Sequence, residues 1–276
     1  MASALATTSP DSTVTTGTTP SPISARFAAL KAEGRRALVC YVTAGHPDPA
    51  QSVELLRGLE AAGADVIEVG VPFSDPLADG PVIQRSSQMA IEHGMTLERT
   101  LHVIADAKLA VPIVLFSYLN PIIAAGPDVL ARARAAGVSG VLVTDLPVGA
   151  DPAREAWFGA SGLDFVRLVA PTTPSPRMAE IARHGGGFVY LISRMGVTGE
   201  QETLSSELPA TVARLRTATT LPICIGFGIS TPEQARVAAT LGDGVVVGSA
   251  IVRAAERSVA DAVALTIAMR QAIDAA

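Results

Sequence analysis

The chain has 276 residues, 49% of them hydrophobic, and a formal net charge of −5. This length accommodates one large domain with a sizeable core. A negatively charged chain without a run of Lys or Arg offers no electrostatic surface for nucleic acid or an anionic membrane. Its longest apolar runs, such as residues 111–116, are far shorter than the roughly 20 residues of a transmembrane helix and are typical of buried strands.

Residues 1–22 consist almost entirely of Ala, Ser, Thr, Pro and Gly, with Asp11 as the one charged side chain. We expect a disordered tail, because such a segment cannot bury enough apolar surface to fold. It also lacks the basic start and apolar stretch of a secretory signal. Cys40 and Cys224 each lie inside an apolar run, which indicates buried thiols in a reducing, cytoplasmic setting. Residues 23–276 are predicted to form one catalytic domain.

From residue 37 onward, short runs rich in Val, Ile and Leu alternate with longer stretches of helical period, which predicts an α/β fold with a parallel sheet. Eight strands are predicted, at residues 37–43, 66–69, 113–116, 140–144, 165–169, 187–192, 223–226 and 245–247. Helices are predicted near residues 49–62, 96–109, 127–136, 151–160, 176–184, 205–218, 231–241 and 256–274. Eight units favour a closed (β/α)8 TIM barrel with flanking helices over a doubly wound open sheet of about five or six strands.

The second predicted strand carries an acidic residue, Glu68, inside an otherwise apolar run. A buried carboxylate is costly unless it is paired, hydrogen-bonded or protonated. Glu68 is therefore a candidate general acid/base whose pKa is raised by desolvation. A structural ion pair is the alternative interpretation.

The loop after this strand, residues 72–81, contains three prolines and two acids that precede the next helical region. In a barrel of this kind, functional residues lie at the carboxyl ends of the strands and in the loops that follow. Asp75 is better explained as a residue that caps the loop. Asp79, beside Gly80, is the better candidate for a second carboxylate that faces a substrate.

Three later loops are rich in glycine. Residues 193–200, after the sixth strand, are long enough for a lid that closes over a ligand, or for an ordinary surface loop. Residues 226–230 and 248–250 follow the seventh and eighth strands, where TIM barrels commonly bind a phosphate group through backbone N–H groups. Tight turns that need glycine for geometry alone are the alternative.

Two absences narrow the reaction. The only lysines, Lys31 and Lys108, lie away from the predicted strand ends, so Schiff-base aldolase chemistry lacks a nucleophile. The four histidines are scattered without the spacing of metal ligands, which argues against a zinc-assisted reaction. Carboxylate acid/base catalysis on a small phosphorylated substrate remains.

Residues 68–81, 190–199 and 226–230 resemble three segments of the tryptophan synthase α chain family, in the same order and at compatible spacing. The similarity extends over roughly residues 24–272. It implies a lyase that cleaves indole-3-glycerol phosphate to indole and D-glyceraldehyde 3-phosphate by a retro-aldol reaction. Glu68 matches the family's acid/base residue, and Asp79 matches the carboxylate that stabilises positive charge on the indole ring.

The resemblance also implies the residues that bind the substrate. Those matching the phosphate site are Gly199, Gly228, Gly248 and Ser249. Those matching the indole pocket are Tyr41, Ile83, Tyr190 and Phe227. Thr198 matches a lid threonine that contacts the catalytic aspartate when the lid closes and excludes water.

Family members work in an α2β2 heterotetramer, in which a β chain carrying pyridoxal phosphate joins indole to serine in the last step of L-tryptophan biosynthesis. The resemblance therefore implies a β-chain partner and neither cofactor nor metal on this chain. Asn120 and Pro121 are candidate interface residues, together with the loop after the second strand. Where the family commonly has Gly-Asp-Pro, this chain has His46 between Gly45 and Pro47, so the role of that aspartate is in doubt.

Two other functions use the same residues. A free-standing lyase would release indole without a partner. A catalytically dead barrel would act only as an allosteric subunit, although the presence of both Glu68 and Asp79 argues against it.

Overall fold

The computed structural model of the chain describes residues 20–193, 206–226 and 228–276. Eight parallel strands pair in chain order, and the last pairs with the first to close a barrel. The predicted TIM barrel is therefore confirmed. The strands are β1 (Ala37–Thr43), β2 (Val66–Gly70), β3 (Ile113–Ser117), β4 (Val138–Val143), β5 (Asp164–Val169), β6 (Val189–Ile192), β7 (Ile223–Gly226) and β8 (Gly244–Val247).

The strand bounds agree with the sequence prediction to within two residues. The largest differences occur at the starts of β4 and β6. β4 begins earlier than predicted because the pairing with β3 shifts register between Ile113 and Val114, which leaves room for extra residues. β6 begins later because Gly187 has a φ of +72°, outside the range of a strand.

The helices cover the outside of the barrel. Within the described ranges they are α1 (Pro22–Ala32), α2 (Ser52–Ala61), α3 (Pro81–Glu92), α4 (Leu97–Ala107), α5 (Leu119–Ala124), α6 (Val129–Ala135), α7 (Pro152–Gly159), α8 (Ser175–Arg183), α9 (Leu208–Ala218), α10 (Pro232–Ala239), α11 (Ser249–Arg257) and α12 (Val259–Asp274). The sequence analysis did not predict α1, α3, α5 and α11. None of the helices in the described part is long and apolar enough to cross a membrane.

The amino-terminal half of the barrel is filled by side chains. Alternate strand residues point inward, and helix α1 closes this end with Ile23, Phe27 and Leu30. The rings of Phe27 and Phe188 lie 5.7 Å apart at their centroids. Because this half is a packed core, a ligand has access only to the carboxyl ends of the strands, which we call the barrel mouth. Both cysteines are buried free thiols, as predicted from their apolar surroundings.

Candidate active site

Glu68 lies on β2 with its side chain on the inward face. Its strand neighbours in register are Tyr41 on β1 and Val114 on β3. The residue is 1% exposed, and neither carboxyl oxygen has a hydrogen-bond partner among the described residues. Burial raises the pKa of Glu68 to about 8. Glu68 therefore forms no structural ion pair within the described part of the chain. A protonated carboxyl group is its favoured state at neutral pH.

This burial predicts a pH-dependent effect of Glu68→Gln on stability. Because folding raises the pKa from 4.5 to about 8, the stability of the wild-type protein is lost progressively as pH rises through that interval. Glutamine has no proton to lose. Relative to the wild type, we expect the free energy of unfolding of the variant to rise by about 1.4 kcal/mol for each pH unit between the two pKa values. Urea unfolding of both proteins between about pH 5 and pH 8 checks this, and an unchanged difference across the range would contradict it.

Asp79 is held by the tyrosine that follows β3. The Tyr118 hydroxyl donates to Asp79 Oδ2 over 3.0 Å and accepts from the Ala78 N–H over 2.9 Å. The Tyr118 ring lies against Phe73, with 5.1 Å between centroids. Desolvation raises the pKa of Asp79 to about 6, and the Tyr118 hydrogen bond opposes that rise. Asp79 is therefore a carboxylate at neutral pH, oriented by a buried hydroxyl group.

The two acids of this loop differ in their surroundings. Asp75 is exposed, and its carboxylate accepts from the neighbouring Ser74 hydroxyl over 2.6 Å. The Asp75 carbonyl accepts from the Leu77 N–H over 2.9 Å. This geometry fits a residue that shapes the loop, whereas only Asp79 is half-buried against the mouth.

Tyr41 and Tyr190 lean over the glycines that end the next strands. A Cβ atom on Gly70 would lie 2.2 Å from the Tyr41 hydroxyl oxygen, and one on Gly226 would lie 2.4 Å from that of Tyr190. Tyr41 packs edge-on against Phe116, with 5.1 Å between centroids. These rings give the mouth an apolar wall beside Glu68. The absence of side chains at Gly70 and Gly226 leaves room for the two rings.

Gly70→Ala is expected to displace the Tyr41 ring, because the new Cβ would also lie 2.7 Å from Cζ. We expect a loss of about 1–3 kcal/mol in stability and a several-fold higher KM for the substrate. The matched control is Gly159→Ala, where nothing lies within 4 Å of the added Cβ. Thermal unfolding and steady-state kinetics check the pair of variants. Equal behaviour of the two would show that Tyr41 is free to move.

Ile83 joins this wall from α3. It is buried in a cluster with Tyr41 and Val252. The position of α3 is fixed by a chain of hydroxyl groups, in which Thr43 bonds Ser86 over 2.7 Å and Ser86 donates to the Ile83 carbonyl over 2.9 Å. Two residues that the family resemblance assigns to the indole pocket therefore lie together in the structure.

Gly228, Gly248 and Ser249 lie at the ends of the neighbouring strands β7 and β8. Gly228 has a φ of +85°, which favours glycine. The loop behind it is held by Gln234, whose side-chain oxygen accepts from the Ser230 N–H over 2.8 Å and the Thr231 N–H over 3.2 Å. Gly248 precedes α11 without a side-chain cap, and Ser249 is the first residue of that helix. Such a helix start offers N–H groups to an anion.

Three residues assigned by resemblance, Thr198, Gly199 and Phe227, lie outside the described residues, as do residues 194–200 of the lid predicted at residues 193–200. Residues 1–19 of the predicted tail also lie outside them. Within the described ranges, no group of three or more His, Cys, Asp or Glu side chains is arranged to hold a metal ion.

His46 is buried, at 1% exposure. Its Nε2 atom lies 3.7 Å from the Glu256 carboxylate on α11, and burial lowers its pKa. The side chain is therefore not part of the protein surface in this chain. Asn120 is exposed on α5 and Pro121 is partly exposed beside it, as an interface would require.

The sequence analysis missed two polar residues at the mouth, Tyr118 and Thr144. Each directly follows a strand, and each continues the inward alternation of that strand, after Phe116 in β3 and Leu142 in β4. That alternation is visible in the sequence and identifies both residues.

Comparison with known proteins agrees with the resemblance. A family model described as "Tryptophan synthase alpha chain" matches residues 27–274. Tryptophan synthase alpha chains from Desulfatibacillum aliphaticivorans and Geobacter sp. (strain M21) are each 48% identical, over 84% and 86% of this chain and 89% and 90% of their own lengths.

Among solved structures, the tryptophan synthase subunit alpha of Legionella pneumophila superimposes with a TM-score of 0.84 at 34% identity, covering 94% of this chain and 100% of its own. A Mycobacterium tuberculosis tryptophan synthase structure gives 0.85 at 34% identity, covering 92% of this chain and 99% of its own. The chain therefore belongs to the tryptophan synthase alpha chain family.

Proposed function

We propose that Glu68 and Asp79 are the two carboxyl groups with which this member of a lyase family cleaves indole-3-glycerol phosphate in tryptophan biosynthesis. The observation that carries the proposal is the state of Glu68, which is buried at the mouth, unpaired among the described residues and raised in pKa to about 8. A general acid that is protonated at neutral pH and has no competing partner is suited to give its proton to a substrate carbon.

The reaction needs two proton transfers. The Glu68 carboxyl group gives its proton to C3 of the indole ring, which leaves positive charge shared with the ring nitrogen. The carboxylate so formed removes the proton of the adjacent glycerol hydroxyl group. The electron pair of the C–C bond then returns to the ring, so that indole and D-glyceraldehyde 3-phosphate form and Glu68 regains its proton.

Asp79 would stabilise the positive charge during this sequence. A fixed carboxylate stabilises a developing cation strongly where water is excluded, and its orientation is set before the reaction by the Tyr118 hydroxyl. The apolar wall of Tyr41, Ile83 and Tyr190 would hold the ring between the two acids. Phe227 would extend this wall.

The phosphate group would bind at the ends of β7 and β8. Gly228, Gly248 and Ser249 would donate backbone N–H groups, helped by the start of α11. Gly199 would complete the phosphate site, and Thr198 would contact Asp79 when the lid closes.

A β chain that carries pyridoxal phosphate is the proposed partner, in an α2β2 assembly that consumes the indole. The exposed Leu77 at the tip of the β2–α3 loop and the exposed Asn120 fit a partner-facing surface. Neither cofactor nor metal takes part on this chain in the proposal. The two buried free thiols fit a cytoplasmic location.

The proposal predicts a bell-shaped dependence of kcat/KM on pH. The rate falls below about pH 6 as Asp79 gains a proton, and above about pH 8 as Glu68 loses one. Because a phosphate monoester also titrates near about pH 6, the contribution of Asp79 is identified as the part of the acid limb that Asp79→Asn removes. Steady-state release of indole by the purified chain measures the profile. A rate that stays constant well above pH 8 would contradict the role of Glu68.

Adding a β chain to the same assay separates the remaining possibilities. A faster release of indole in its presence supports the two-subunit function. An unchanged rate would favour a free-standing lyase. Absence of indole release under both conditions would favour a catalytically dead allosteric subunit.

A further inference from the structure

Thr144 presents a hydroxyl group to the barrel mouth. It directly follows β4, whose inward residues include Leu142, and its N–H donates to the Ser117 carbonyl over 3.1 Å. This backbone bond fixes Thr144 beside the end of β3. The Oγ1 atom is buried and has no hydrogen-bond partner among the described residues.

A buried hydroxyl group without a partner costs free energy. Valine has the same shape and would occupy this position without that cost. A hydrogen-bond partner at the mouth would offset this cost. The mouth of the barrel is where such a bond would form, because the substrate is proposed to bind there.

A candidate partner is the Tyr118 hydroxyl. It lies close enough for Thr144 to influence the pKa of Tyr118, although the two groups do not meet hydrogen-bond geometry. Tyr118 already donates its proton to Asp79 and accepts from the Ala78 N–H. A phenolic oxygen has a second lone pair, so Tyr118 can accept one more hydrogen bond.

We propose that Thr144 is a positioning residue that donates to Tyr118 when substrate is bound, and so completes a hydrogen-bonded chain from Thr144 through Tyr118 to the Asp79 carboxylate. The proposal rests on the proposed function of Asp79. Each bond in such a chain strengthens the next, since an oxygen that accepts a hydrogen bond becomes a better donor through its own proton. The chain would hold Asp79 ionised and aimed at the ring nitrogen.

Other titratable groups also face this part of the mouth. Tyr41 on β1 and Tyr190 on β6 lie within the electrostatic reach of both Glu68 and Asp79. Among the described residues, Tyr118 donates the side-chain hydrogen bond that the Asp79 carboxylate accepts. The effect of Thr144 on Asp79 is therefore expected to pass through Tyr118.

The test compares Thr144→Val with the wild-type chain in the assay of indole release against pH. Because the bond is proposed for the substrate complex, Thr144→Val should move the acid limb of kcat to higher pH. It should also lower kcat about two- to tenfold, the effect of one hydrogen bond, while KM changes little. Thr144→Ser should restore both values. The control Thr100→Val removes a buried hydroxyl group on α4, away from the mouth, and should behave as the wild type.

A second comparison uses Tyr118→Phe. If the chain exists, adding Thr144→Val to Tyr118→Phe causes no further loss. An acid limb that does not move in Thr144→Val, an effect on KM alone, or full additivity with Tyr118→Phe would each overturn the proposal. Any of these three results would leave the assignment of the wild-type acid limb at about pH 6 to Asp79 unaffected. Failure of the proposed function is distinguishable, because Asp79→Asn would then retain the limb.

Discussion

Glu68→Gln is expected to lower kcat for indole release by about 10²- to 10⁴-fold, the contribution of a positioned general acid and base. Glutamine has nearly the same shape and fills the same buried position on β2, so the fold is retained. It has no proton that can pass to C3 of the ring and return from the hydroxyl group. KM should change little, because the phosphate end of the mouth is untouched. Steady-state release of indole measures the loss.

A second variant separates loss of chemistry from loss of packing. Glu68→Asp keeps a carboxyl group but withdraws it by about one methylene group, so it should retain more activity than Glu68→Gln if proton transfer is the role. Circular dichroism and urea unfolding establish that both variants are folded. Indole release by folded Glu68→Gln at the wild-type rate would exclude Glu68 as the acid/base group.

Asp79→Asn is expected to lower kcat by about 10²- to 10³-fold, comparable to the loss of one electrostatic group that stabilises a transition state. The amide keeps a hydrogen-bond acceptor for Tyr118 but carries no charge to stabilise the ring cation. The matched control is Asp75→Asn in the same loop, where the side chain is exposed and bonded to Ser74. Wild-type kinetics in Asp75→Asn and a large loss in Asp79→Asn are the expected pair. Similar losses in both would point to the loop conformation instead of the Asp79 charge.

The strands and the burial of the acid on β2 were predictable from the sequence because a strand of a parallel barrel is buried on both faces. An acid within such a run must be buried, so the direction of the pKa shift of Glu68 followed as well. The glycines after the seventh and eighth strands were recognisable for a similar reason, because their places in a barrel are fixed by the order of the units.

Other features depended on contacts that are distant in sequence. Asp79 is fixed by a hydrogen bond from Tyr118, which is 39 residues away in the sequence. The short α5 contains Asn120 and Pro121 and has no clear helical period. The start of α1 was signalled by Ser21 before Pro22, a cap and first-turn pair that the analysis assigned to the tail. The proximity of the buried His46 to Glu256 could likewise not be predicted from the sequence.

The site also shows how the barrel supports a costly group. Ionisation of Glu68 lowers the stability of the fold. In the amino-terminal half, by contrast, buried charged groups are paired and hydrogen-bonded. Asp65 is buried there and accepts from Arg270 over 2.8 Å and from the Leu38 N–H over 2.7 Å. The proposed site and this buried ion pair therefore lie at opposite ends of the barrel, the arrangement expected of barrels of this type.

The central claim is that Glu68 carries a proton at neutral pH in the folded chain. A difference infrared titration of the wild-type protein against Glu68→Gln isolates the C=O stretch of this one carboxylic acid. The band is expected at neutral pH and should disappear with a midpoint at about 8. A midpoint near the ordinary value of 4.5 would show an ionised Glu68 that has no proton to give to the ring.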